Sequence, residues 1–107
     1  MSHSARVPPE LLGRVAAYFR PRRVILFGPR ARGEARPDSD VDLLVILDDD
    51  APADRLTLRA GGESRQGWDR AADVIPVRDQ VYQRRAQVGG TLAYEAEIDG
   101  VAVYERD

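Results

Sequence analysis

The stretch VILFGPRARGEARPDSDVDLLVIL, Val24 to Leu47, holds two apolar runs separated by glycines, arginines and aspartates. Val24–Phe27 is wholly apolar and stops at Gly28, while Val41–Leu47 is apolar except for Asp42. Short continuous apolar runs bounded by turn residues predict strands buried on both faces. Upstream, Leu11, Leu12, Val15, Ala16 and Phe19 follow Pro8-Pro9-Glu10 at helical spacing and stop before Pro21, which predicts a helix with proline in its first turn. Ala31–Ala35 suits a short helix closed by Pro37, and Ala53–Ala60 another, continuing to Gln66. Ala72–Val77 reads as a third strand, placed at a sheet edge by Pro76. Helices over Asp79–Gln87 and Leu92–Ile98 follow, the second capped by Thr91 and closed by Gly100, and Val101–Tyr104 is a last strand. The order αβαβαβααβ predicts an α/β (α+β) fold, a small mixed β-sheet with helices packed mainly on one face, as a single domain over residues 1–107.

Composition removes several chemistries. There is no cysteine, so no thiol catalysis, disulfide or zinc–thiolate site, and the one histidine, His3, sits at the terminus. No apolar run reaches the roughly 20 residues of a membrane span, and no signal-peptide pattern opens the chain, which predicts a cytoplasmic location. A net charge of −2 argues against stable nucleic-acid binding. Charge is polarised: Arg20–Arg36 carries six arginines and Glu34 alone against them, whereas Asp38–Asp54 carries seven aspartates and no base. Runs of this kind are usually solvated surface, but here the two blocks flank the glycine turn.

Asp40 and Asp42, two apart at the start of a strand, fall on one face with Cα atoms roughly 7 Å apart. Two bare carboxylates there repel, and a neighbouring core dehydrates them, so a cation must neutralise them: arginine, or a divalent metal. Asp73 starts its strand as Asp40 does, so an adjacent, aligned strand would bring it to the same end. The stretch fails as a calcium loop, because Leu43 stands where glycine is needed and Asp49 where a glutamate is. The turn after Gly28 suits an anion: a helix start offers N–H groups, Arg30 and Arg32 add charge, and Gly33 permits close approach. The competing readings are that the aspartates form a capping cluster and that Arg30 and Arg32 pair with Glu34, Asp38 or the strand acids. Trp68 suits packing better than base stacking, and Tyr18, Tyr82, Tyr94 and Tyr104 read as packing.

FGPRARGEARPDSDVDLLV resembles the signature G-S-x-x-R-G-x(n)-S-D-x-D-L-x-V of the polymerase-beta-like nucleotidyltransferases. With ADVIPV and GTLAYEAEIDGVAVYE it is similar to their minimal members, the MNT domains, over roughly Arg23 to Glu105. The resemblance implies the polymerase-beta-like fold and transfer of AMP from ATP to a hydroxyl, with release of pyrophosphate. It implies Mg²⁺, two ions, on Asp40, Asp42 and Asp73, with Asp73 as metal ligand or proton acceptor. Gly28, Pro29, Arg32, Gly33 and Ser39 would hold the nucleotide. It also implies a HEPN-type toxin as partner, this chain being the antitoxin. Homo- and hetero-oligomers are both compatible with the sequence. Pro29 stands where the signature has serine, which keeps a second reading open: a nucleotidyltransferase-fold module impaired in catalysis that acts by binding its partner. Modification of a small molecule is a third.

Overall fold

The computed structural model describes residues 7–34, 36 and 40–106. Helix α1 (Pro9–Phe19) turns Leu11, Val15 and Phe19 inward at four-residue intervals. Arg20 ends it in a left-handed conformation, its N–H donating to the Ala16 carbonyl, and Pro21 prevents continuation. Strands β1 (Arg23–Phe27) and β2 (Val41–Leu47) are the two apolar runs. A 3₁₀ turn (Ala53–Arg55) and helix α2 (Leu58–Ser64) lead to β3 (Ala72–Arg78). Helices α3 (Asp79–Arg85) and α4 (Leu92–Asp99) precede β4 (Val101–Glu105).

The sheet runs β3-β2-β1-β4. β1 is antiparallel to both β2 and β4, and β2 is parallel to β3, so the sheet is mixed as the sequence predicts. β3 lies at the edge, where Pro76 costs no ladder hydrogen bond. Alternation along the central strands divides the core. Val24, Leu26, Leu43 and Val45 face α1 and α2, while Ile25, Phe27, Leu44 and Ile46 face Tyr82 of α3 and Ala93 and Ala96 of α4. Helices therefore cover both faces, where the sequence predicted them mainly on one. The physical reason is in β2 itself: a strand apolar on both sides needs cover on both.

Two helix predictions change. The 53–66 helix breaks in two because the Thr57 hydroxyl accepts from the Ala60 N–H, capping α2 as a fresh helix. Residues 31–34 form a turn, not a helix: Ala31 and Arg32 N–H groups donate to the Gly28 carbonyl, and Glu34 to Pro29, but Gly33 takes a φ of 76° that no helix contains. Ala35 and Pro37 lie outside the described residues. No helix among the described residues is long and apolar enough to cross a membrane.

Candidate active site

Register brings the acids together. In the ladders, Phe27 faces Asp42 across β1–β2, and Asp42 faces Asp73 across β2–β3. The last residue of β1 and the acids at the starts of β2 and β3 thus share one end of the sheet. Asp42 is half-buried and Asp73 exposed, and a hydrogen bond joins their side chains. Burial first, then the charge of Asp73, that hydrogen bond and the charge of Asp40 push the Asp42 carboxyl up to about 6 from its ordinary 3.8.

Asp40 precedes β2 and is exposed. It is close enough to repel Asp42, yet among the described residues no three acidic or histidine side chains close around one metal position. The register opposes Asp42 to Asp73, and Asp40, the third ligand the sequence predicted, lies one residue before β2, near enough to act on Asp42. Asp40 lies before the first paired residue of β2, so no ladder holds it in register. Among the described residues no ion pair involves Asp40, Asp42 or Asp73.

Gly28 leaves β1 with a φ of 77° and lies directly on Asp42: a Cβ there would stand 2.5 Å from the Asp42 Oδ2. Only glycine takes that backbone conformation freely and leaves the carboxylate its room. The arginine-rich turn therefore begins against the acidic pair. Its amides differ from expectation, because those of Ala31, Arg32, Gly33 and Glu34 already donate to backbone carbonyls within the turn. An anion bound here would be met by side-chain charge more than by a helix start. Arg32 is exposed and its Nε donates to Glu34 Oε1 at 2.8 Å, the competing pairing the sequence allowed. Pro29 is half-buried, and its carbonyl closes the turn on the Glu34 N–H. Ser39 lies outside the described residues.

Against known families, the profile described as "Nucleotidyltransferase domain" matches residues 9–100. The chain belongs to this family. Among solved structures, this nucleotidyltransferase domain is similar to one described as the toxin–antitoxin with AMP-PNP, with 15% identity and a TM-score of 0.61 over 92% of this chain and 75% of that one. It is also similar to a candidate nucleotidyltransferase from Sulfolobus solfataricus, with 22% identity and a TM-score of 0.56 over 95% and 78% of the two chains. At these identities the likeness is one of fold. No curated protein gave a sequence match.

Farther from the acids, Asp48 accepts from Nη2 of Arg106, the residue after β4, at 2.7 Å, which holds its carboxyl below the usual range, and Asp49 accepts from the Gln80 N–H. Two of the three acids of the 48–50 run thus brace the opposite end of the sheet. Tyr82 is core, its hydroxyl 2.7 Å from Glu97, and Trp68 packs against the α1–α2 side. One feature of the domain had no sequence signal: a cleft on the α3–α4 face lined by Leu44, Ile75, Val77, Arg85 and Leu92. Those residues are scattered over four elements, and only the folded sheet assembles them.

Proposed function

We propose that this domain transfers AMP from ATP to a hydroxyl on a partner protein with Mg²⁺, as the antitoxin of a cytoplasmic toxin–antitoxin pair whose toxin is of the HEPN type. The observation that carries the reading is the Asp42–Asp73 pair, opposed in register at the sheet end where Gly28 turns away. Two adjacent carboxylates, one of them pushed up by burial and then by its neighbour's charge, with no arginine paired to either among the described residues, are a donor set that suits a divalent cation. Mg²⁺ is commonly held by one or two carboxylates together with substrate phosphates, so a site without three converging protein ligands fits it. Asp42 and Asp73 would hold the metal, with Asp40 able to join once substrate is present; bound there, it neutralises charge on the phosphoryl oxygens. The neighbour described as a toxin–antitoxin with AMP-PNP supports a nucleotide as the second ligand and a protein as partner.

The chain's own residues then divide the work. Gly28 lets the triphosphate approach the acids, Pro29 and Gly33 shape the turn, Arg32 supplies charge to the leaving end, and Ser39 is a further nucleotide-binding residue. Asp73, the more exposed of the pair, faces incoming substrate and takes the proton of the acceptor hydroxyl. The acceptor oxygen bonds to the α-phosphorus, the α–β bridging bond breaks, and pyrophosphate carries away its electron pair. ATP labelled at the α-phosphate, with Mg²⁺ and the product of the neighbouring reading frame, should place label on that protein. A partner that binds yet stays unlabelled would defeat this reading.

Glu34 holds Arg32 away from any nucleotide in the free domain. The pair is exposed and screened by solvent, so Glu34→Gln should tighten ATP binding only modestly, by about two- to fivefold. Unchanged or weaker binding in calorimetry would remove Arg32 from the phosphate site.

Pro29 favours a second reading, partner binding without turnover. Proline lacks both the hydroxyl and the N–H that serine would present to phosphate, and each lost donor to a charged group is worth about 1.5–3 kcal/mol. Pro29→Ser is therefore expected to tighten ATP binding by roughly 10–100-fold. Partner binding with no labelling in the natural chain, and labelling only in Pro29→Ser, would favour the binding module.

A further inference from the structure

We propose that the cleft between β3 and the α3–α4 turn receives an acidic segment of the acceptor protein, with one apolar side chain seated in it. This rests on the transferase reading and adds where the acceptor docks. Leu44 lies two residues along β2 from Asp42, and Ile75 two along β3 from Asp73. Period two puts all four on one face, with the cleft roughly 7 Å from the carboxylates. The glycine turn leaves from β1, and β2 separates β1 from β3. Attacking and leaving oxygens stand in line across the α-phosphorus. If pyrophosphate departs toward the turn, the acceptor arrives from the β3 side, where this cleft opens.

Size and chemistry choose the occupant. The cleft holds about 310 Å³, at the foot of the roughly 300–1,000 Å³ range of small-molecule sites, which suits one side chain better than a whole nucleotide. Its floor is Leu44, Ile75 and Val77. Apolar surface continues outward through Leu92, 43% exposed, and Val88, 53% exposed. Arg85 lines it, Arg84 shares the same last turn of α3, and neither side chain has an ion pair among the described residues. Among the described residues no carboxylate lines the cleft. In a chain of net charge −2, this basic, apolar corner selects an acidic partner segment. A nucleobase would need polar groups to hold its edge. The Thr91 hydroxyl that lines the cleft is already engaged: it lies 2.7 Å and 2.9 Å from the Arg85 and Val88 carbonyls and accepts from the Tyr94 N–H.

The test uses fluorescein-labelled peptides with a central hydroxyl residue, a leucine on each side, and either glutamates or lysines beyond. Anisotropy is read with the whole chain, with and without AMP-PNP and Mg²⁺. The glutamate peptides should bind about tenfold or more tightly than the lysine peptides. Arg85→Glu should abolish that preference, and Leu92→Asp should weaken binding by about tenfold. AMP-PNP affinity should stay within about twofold in both variants, because Arg85 and Leu92 stand on α3 and α4, at the rim of the cleft, and not on the strands that carry the acids. Absent binding, equal binding of the two peptide sets, or an unchanged preference in Arg85→Glu would overturn the proposal. So would variants that weaken AMP-PNP instead, since the cleft would then seat the base. If the natural chain binds no AMP-PNP, the transferase reading fails, and the peptide comparison without nucleotide still judges the docking surface.

Discussion

Asp42→Asn is expected to reduce label transfer by at least about 10²–10³-fold, the usual cost of deleting one preorganised electrostatic group, while making the metal-free protein more stable at neutral pH. The two effects share one cause. Folding half-buries this carboxylate beside Asp73 and pushes it up to about 6 from 3.8, so the fold favours its neutral form. A carboxyl raised by folding contributes stability fully below 3.8 and loses that contribution as the pH rises through about 6. At neutral pH the ionised group therefore opposes folding, and asparagine removes the charge while retaining a donor for Asp73. In EDTA, Asp42→Asn should melt above the natural protein at neutral pH, with the gap closing as the pH falls toward 3.8. A variant that melts lower at neutral pH would mean that a cation of the chain already compensates Asp42. Undiminished transfer would remove Asp42 from the chemistry.

Gly28→Ala is expected to damage stability and activity together. A φ of 77° costs a residue with a Cβ about 1–2 kcal/mol. The added methyl would also stand 2.5 Å from Asp42 Oδ2, so the carboxylate must move. Displacing a reacting group by about 1 Å can cost about 100-fold, and transfer should fall by that order even where the variant is fully folded. Denaturant melts and single-turnover labelling separate the two losses. A variant that loses stability but transfers normally would show that contact with Gly28 does not set the Asp42 position.

Local chemistry made much of this legible. The runs Val24–Phe27 and Val41–Leu47 are strands in any context that buries them, and Pro76 announces an edge. Thr91 and Pro9 open their helices where capping chemistry puts them. The failures lay where local signals competed. At 31–34 apolar and arginine residues suit a helix, but the left-handed Gly33 closes the chain into a turn. At Thr57 a cap inside an otherwise helical stretch starts a new helix. The second helical layer follows from a strand apolar on both sides, which the sequence displays but cannot assign to particular helices.

By itself the sequence determined the strand pairing elements, the acids at their starts and the glycine between them, because period, turn chemistry and charge are properties of neighbours along the chain. Tertiary structure decided which acids meet. Asp42 touches Asp73, thirty-one positions away, because β2 and β3 run parallel in a register set by burial of Leu44, Ile46 and Val74. It also decided that Glu34 takes Arg32 and that a cleft opens on the α3–α4 face, since each depends on where separate parts of the chain come to rest against one another.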